Sequence, residues 1–372
     1  MANDGENESS KSNISAFDAW YSLDGQESDV VLSTRVRLAR DLANFPFPSR
    51  FREDDAERVR TMAFDAFSHL QEGEKYQAVL SSNLDLVGKR ILCERGVIKQ
   101  NTNLSRGSGI VIRDDGAFSC TVNDVDHFRL SAFCAGMNGV GAFQVCKTID
   151  DELQDFMQFS ANRERGFLTS RFSDCGSGMK ISFRVHLPAI SFSSNLQNIV
   201  EEYEKRGLGV RDCFGLSAEK SGALGSFYEF CTRCAGNGSE IDQLALISGA
   251  LRSLVEKERR LSEKVFSSRM TEIRDRVYKS YALSKFSFLC DLRSAIEAIS
   301  AIKWGKNLGI LSGLSDGEIY ALIYRIQPGH IQFVMRNRDF SFPEDIAKSR
   351  ALSEKHIRAL LIQEAFGKIA FR

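Results

Sequence analysis

Two short stretches of this chain carry side chains that could do chemistry. The first is Ser33-Thr34-Arg35-Val36-Arg37, directly after the apolar run Val30-Val31-Leu32. If the extended backbone of the apolar run continues, side chains alternate between faces. Ser33, Arg35 and Arg37 then point the same way. Two guanidiniums on one strand face need a counter-anion, and their planar forks suit phosphate oxygens. The competing reading is a surface strand with solvated arginines. The second stretch runs from Met179 to Leu187. Met179, Ile181, Phe183, Val185 and Leu187 fall on one face, and Lys180, Ser182, Arg184 and His186 on the other. Pro188 ends it. One apolar and one basic face belong to a half-covered antiparallel sheet. Neighbouring strands could bring this basic face beside Arg35 and Arg37.

Other elements must hold these strands. Glu53 to Leu70 reads as an amphipathic helix, with Val59, Met62, Ala63, Ala66, Phe67 and Leu70 on one face. Strand patterns follow at 109–113 and 118–122, joined by Asp114-Asp115-Gly116-Ala117, a hairpin signal. A helix-like segment runs from Asp150 to Asn162. From about Ser239 the pattern turns helical, with Leu244, Ile247, Leu251, Leu254, Leu261 and Val265 in register, then Leu292, Ala295, Ile296, Ile299 and Ile302. Ser315-Asp-Gly-Glu318 predicts a capping box that opens a helix through Ile326. Ser341-Phe-Pro-Glu344 predicts another that opens the last helix. A domain boundary is expected near 265.

A length of 372 residues suggests two domains. Lysine plus arginine number 49 and aspartate plus glutamate 49, so any anion site is a local patch and general nucleic-acid binding is disfavoured. No apolar run could span a membrane. Residues 1–15 read as a disordered tail with no apolar signal region, and a cytoplasmic location is expected. Nine scattered cysteines suit free thiols better than a disulfide framework. Cys231-Thr-Arg-Cys234 is a lone CxxC, without the four ligands of a structural zinc site, so no metal site is expected.

The wording STRVRLARDLANFPFP resembles the phosphagen (guanidino) kinase family, above all its bacterial protein-arginine kinase branch. The resemblance continues through VNDVDHFRL (122–130), GFLTSRFSDCGSGMKISFRVHLPAI (166–190) and LGVRDCFG (208–215). It implies an α/β (α+β) fold: a guanidino-kinase catalytic domain on a large antiparallel sheet flanked by helices, over 16–265. A helical dimerisation domain over 266–372 follows. It also implies ATP with Mg2+ as cofactor and a phosphate clamp at Arg35, Arg37, Arg129 and Arg211, with Lys180 at a fifth position where the family has arginine. Ser33, Thr34, Val36, Ile181, Ser182, Phe183, Arg184, Asp212, Cys213, Phe214 and Gly215 fall in the family's nucleotide-binding blocks. Gly96 stands where bacterial members usually show a histidine.

On the acceptor side the chain departs from the pattern. The family loop Asn-Glu-Glu-Asp-His reads Asn123-Asp124-Val125-Asp126-His127 here, with valine at the position that binds the substrate guanidinium. The second acidic position of arginine-specific members is Leu216. Asp124, Asp126 and Glu219 are the candidate substitutes. Arg171-Phe172-Ser173-Asp174 replaces the reactive segment Cys-Pro-Thr-Asn, with Cys175 four positions on. The branch's RDxxRA motif survives only as Arg350-Ala351. Two functions follow from the resemblance. One is transfer of the ATP γ-phosphoryl group to arginine in proteins. The other is a pseudokinase that binds nucleotide or a partner, as scaffold or regulator of a protein quality-control protease system.

Overall fold

Eight strands form one antiparallel sheet in a computed structural model that describes residues 20–372 apart from 53, 101, 103, 105, 106, 215–222 and 237. The expected tail at 1–15 lies outside the described residues. The strands are β1 (Val31–Arg40), β2 (Tyr76–Leu80), β3 (Gly109–Arg113), β4 (Phe118–Val122), β5 (Phe128–Ala135), β8 (Met179–His186), β9 (Leu208–Asp212) and β10 (Phe227–Thr232). A separate small hairpin is made by β6 (Ala161–Asn162) and β7 (Gly166–Phe167). The spatial order is β2-β3-β4-β5-β1-β8-β10-β9, which puts β1 and β8 side by side in the middle. Their alternation decides the faces. Val36 and Leu38 of β1 and Ile181, Phe183 and Val185 of β8 are fully buried. They face the side covered by helix α3 (Gly139–Gln154), which packs on β1 and β5 through Ala142, Cys146, Ile149 and Leu153. Helices α1 (Asp55–Ser68) and α2 (Leu86–Glu94) precede α3, and α4 (Pro188–Phe192) and α5 (Leu196–Lys205) follow β8.

Arg40 has the same parity as Val36 and Leu38 and so enters this core. It makes a bidentate pair with Asp150 of α3 at 2.8 and 2.9 Å, beneath the Phe167 ring at 3.6 Å. A guanidinium so enclosed is tolerable only with its charge and hydrogen bonds matched, and Ala39 and Ser177 carbonyls accept the rest.

The C-terminal part is helical. α6 (Glu240–Phe286) is followed by α7 (Leu292–Asn307), β11 (Leu311–Ser312), α8 (Asp316–Arg325), α9 (Pro328–Asn337), α10 (Glu344–Ala347), α11 (Arg350–Phe366) and β12 (Ala370–Phe371). α6 leaves helical geometry once, at Arg269 (φ −134°, ψ 36°). A second core joins both parts of the chain, with Leu32, Phe133 and Phe227 packed among Ile296, Ile302, Tyr320 and Tyr324.

Two expectations need correction. The helix expected over 150–162 instead runs Gly139–Gln154, because Asn138 caps it through Gly141 N and its first turn, Gly-Val-Gly, carries no apolar pattern. Residues 161–162 are a strand. The last helix is not opened by Ser341. It starts at Arg350, where Ser349 accepts from Leu352 N, while Pro343 only precedes the single turn of α10. The Ser315 capping box forms as expected. The helix expected over 53–70 forms as Asp55–Ser68.

Candidate functional site

The face of the sheet opposite α3 carries the cations. Strand register assembles them, because residues directly opposite share a face. Arg37 stands opposite Lys180 of β8 and Ser131 of β5, and Arg35 opposite Ser182 and Phe133. Arg129 is one pair further along, opposite Ala39. Glu229 of β10 lies between Arg184 and Arg211, its partners on β8 and β9. Arg35, Arg37, Lys180, Ser182, Arg211 and Glu229 line one cleft, together with Lys99 from the segment after α2. Sequence reading missed Lys99, which has no motif around it. Burial, and then Arg37, Arg129 and Arg211, pull its ammonium below its ordinary value.

Such crowding of like charge shows in the arginines. Burial first, then Arg129 and Arg35, pulls the Arg37 guanidinium down to about 10. Burial likewise lowers Arg35. Among the described residues, Arg35 Nε, Arg37 Nε and Arg129 Nη2 are buried without a hydrogen-bond partner. Buried donors left unmatched are rare and costly. Three on neighbouring strands, all on cations, leave donors that an anion's oxygens could match.

Two cations are already partly engaged. Asp174, fully buried in the short turn Phe172–Asp174, accepts from Arg37 at 2.9 Å and from the Ser173 hydroxyl at 2.9 Å, and pairs with Lys180. Burial alone would raise this carboxyl, but Lys180 and Arg37 more than offset it and hold it below the usual carboxylate range. Sequence reading passed over Asp174 as part of the replaced reactive segment.

Both candidate acids of the 123–127 loop are fastened to Arg129. Asp126 accepts from Arg129 Nε at 2.8 Å and from Ser170 N at 3.0 Å, and is fully enclosed. Asp124 accepts from Arg129 Nη1 at 3.0 Å. In this arrangement neither acid is turned free beside Val125. Both oxygens of Asp126 are used in pinning the loop, with Asp41 helping by accepting from His127 N and Ser170 N. Asn123 opens the loop at φ 57°, a conformation asparagine tolerates. Glu219, Leu216 and Gly215 lie outside the described residues.

The remaining predicted residues divide by parity. Ser33 and Ser182 are on the cation face, and Ser33 accepts from the Tyr320 hydroxyl at 2.7 Å. Arg184 donates to the Tyr324 hydroxyl at 2.7 Å and sits 5.6 Å from the Phe214 ring centre. Thr34, Val36, Ile181 and Phe183 turn their side chains into the core on the other face, so any role of theirs at the cleft is through backbone alone. Thr34 instead donates to Gly136 O at 2.6 Å and accepts from Asn138 N at 2.9 Å. Cys213 is buried in the second core, its thiol pushed up to about 12 by burial, and Asp212 is exposed on the edge strand. Gly96 adjoins the cleft. A Cβ there would lie 3.1 Å from Arg184 Nη2, at φ 77°.

All nine cysteines are free. Cys231 is not ordinary core, since its sulfur meets Arg211 Nη2 at 3.1 Å. Among the described residues no three His, Cys, Asp or Glu side chains are grouped to hold a metal ion. A roomier cleft, about 640 Å³, is lined by Phe167, Phe172, Cys175 and Ser239. Its cation Arg165 is drawn over Phe172. The smaller basic cleft is the better candidate, because among the described residues the unmatched charged donors gather at or beside it.

The comparisons agree with this geometry. The family model for the ATP:guanido phosphotransferase C-terminal catalytic domain matches residues 58–261. The chain belongs to the ATP:guanido phosphotransferase family. A second model, the protein-arginine kinase McsB C-terminal domain, matches residues 270–370. Arg129, Lys180 and Arg211 fall inside the first match, and Arg35 and Arg37 precede it. Protein-arginine kinase of Halothermothrix orenii is 28% identical over 315 residues, covering 84% of this chain and 89% of the relative. That of Bacillus subtilis is 28% identical over 319 residues, covering 85% and 87%. Among solved structures, lombricine kinase superposes with a TM-score of 0.56 at 19% identity, over 65% of this chain and 69% of that one. The substrate-free duplicated taurocyamine kinase of Schistosoma mansoni gives 0.57 at 19% identity, over 80% and 42%. These two share the fold.

Proposed function

We propose that this member of the family binds ATP with magnesium on the basic cleft, and that its transfer of the γ-phosphoryl group to arginine in proteins is slow or lost. The three unmatched guanidinium donors of Arg35, Arg37 and Arg129 carry the nucleotide half of this reading. They fit phosphate oxygens, and Lys180, Arg211 and Lys99 add charge at the same cleft. Magnesium supplies further charge neutralisation when it arrives with the phosphates. The Arg184 side chain, beside Gly96 and Phe214, lies where it can bound the rest of a nucleotide.

Transfer would form a bond from a guanidinium nitrogen to the γ-phosphorus and break the bond to the β,γ-bridging oxygen. The guanidinium proton must pass to a carboxylate that also aligns the acceptor. Val125 cannot take it, and Asp124 and Asp126 are engaged by Arg129. This supports the impaired reading, with nucleotide binding serving a scaffold or regulator in a cytoplasmic quality-control protease system.

The proposal includes a boundary near 265 and a homodimer through residues 266–372. The exposed run Leu283, Phe286 and Phe288, at 69%, 74% and 78% exposure, supports an apolar contact there. Light scattering over a dilution series should show a dimer, and a strict monomer at high micromolar concentration refutes it. For the site, calorimetry should show MgADP binding that Arg129→Ala weakens at least about tenfold, since charged hydrogen bonds contribute roughly 1.5–3 kcal/mol each. Incubation with labelled ATP and an arginine-rich protein should give little acid-labile phosphate. No MgADP or MgATP binding at millimolar concentration would sink the proposal.

A further inference from the structure

Asp174 is an acid inside a site for acids. Its carboxylate holds Arg37 and Lys180, the two cations that face each other across the β1–β8 pair. It has no exposed surface of its own, whereas Arg37 and Lys180 keep 11% and 22% of theirs. The two cations are therefore reachable from the cleft and the acid is behind them. The backbone around Asp174 is fastened. Asp174 N donates to Arg171 O at 2.9 Å, Cys175 N to Phe172 O at 3.2 Å, and Ala235 N to Ser173 O at 2.9 Å. Ser173 holds the carboxylate itself. When an anion enters, the cations can turn toward it more readily than the acid can withdraw.

We infer that Asp174 is a built-in counter-anion that competes with nucleotide phosphates for Arg37 and Lys180, and so sets the affinity of the cleft. The inference rests on the nucleotide reading above. A phosphate oxygen on these cations comes close to a fixed carboxylate, and like charges in a partly buried setting repel far more than in water. Two donors already committed to Asp174 must also be shared or released. Arg37 shows the division, with Nη2 on Asp174 and Nε buried and unmatched. A small anion gains too few contacts to offset this repulsion, whereas a diphosphate also reaches Arg35, Arg129 and Arg211.

An alternative role for Asp174 is positioning, in which it braces Arg37 and Lys180 in the posture that phosphate needs. The two roles differ in sign. Calorimetry with MgADP and with inorganic phosphate, on wild type and Asp174→Asn, separates them. Asparagine keeps the shape and removes the charge. As a counter-anion, Asp174→Asn should bind MgADP at least about tenfold tighter, and inorganic phosphate should become measurable. Unchanged or weaker MgADP binding by the variant, with wild type binding, overturns the inference and leaves the nucleotide reading intact. If neither protein binds MgADP, both fall. Loss of the buried acid could prevent folding, so a crystal structure of wild type with MgADP provides the second test. Arg37 or Lys180 should have left ion-pair distance of Asp174 for a phosphate oxygen. Both cations still on Asp174 with nucleotide in the cleft would overturn the inference.

Discussion

At the residue scale, Arg129 joins the two halves of the site. Two of its nitrogens hold Asp124 and Asp126, and the third is buried without a partner. In the proposed reading, the acids that would serve the acceptor instead orient a cation for the nucleotide. Val125 sits between them in the same loop, half-buried. Losing a positioned base typically costs about 10²–10⁴ in rate. Val125→Glu together with Leu216→Glu should therefore raise arginine phosphorylation by about 10² or more if the cleft is otherwise intact. Acid-labile phosphate on an arginine-rich protein is the readout. Wild-type turnover of roughly 1–100 s⁻¹, usual for kinases, would show that the two substitutions are harmless. Strand alternation made Arg35 with Arg37, and Lys180 with Arg184, legible as one face of each strand, whereas the clamp as a whole, with Arg129 and Arg211, was legible only through the family resemblance. Asp174 was legible in neither way, because its partner Arg37 is 137 positions away and it sits in a turn with no periodicity.

At the element scale, two glutamates, one buried and one half-buried, fasten helices to one another across the chain. Glu258 of α6 accepts from Ala189 N at 2.8 Å and Ile190 N at 3.0 Å, where α4 begins behind Pro188. Glu94 of α2 accepts from Gly329 N at 2.8 Å, at the start of α9. Burial pushes each carboxyl up to about 7, against the pull of these amides. The sign follows from where the proton is held. Below the ordinary glutamate range both folded and unfolded chains are protonated, and no penalty exists. As pH rises, the unfolded chain loses its proton first while the folded chain keeps it to about 7. Stability therefore falls across that window, by roughly 3 kcal/mol for the nearly enclosed Glu258. Thermal melts should show wild type losing stability from pH 5 to pH 8, with a flatter profile in Glu258→Gln. A wild-type profile no steeper than that of Glu258→Gln would disprove the assignment. Capping logic of this kind was readable at Ser315, where donor and acceptor are three residues apart. At α4 it was not, because its capping acid lies 69 positions away.

At the scale of the whole molecule, the helical part reaches the cation face of the sheet through two tyrosines one turn apart. Tyr320 donates to Ser33 on β1, and Tyr324 accepts from Arg184 on β8. Both rings belong to the core shared with Leu32, Phe133 and Phe227, and Tyr324 packs 4.7 Å from Tyr21 between ring centres. The position of Arg184, beside the cleft opposite Glu229, is thus tied to a helix that belongs to the C-terminal matched region. Any shift of α8 would move Arg184. Tyr324→Phe keeps the packed ring and removes only the acceptor. A net hydrogen bond contributes about 0.5–1.5 kcal/mol, so MgADP affinity should fall about three- to tenfold through a less ordered Arg184. Tyr320→Phe, which leaves Arg184 on Tyr324, should change it less. Melting temperatures check that the fold is retained in both variants. Equal MgADP affinity in wild type and Tyr324→Phe would mean that the helical part reaches Arg184 without governing it. A fall in affinity for Tyr324→Phe alone, with both variants folded, would establish that the nucleotide cleft is completed by the C-terminal helices.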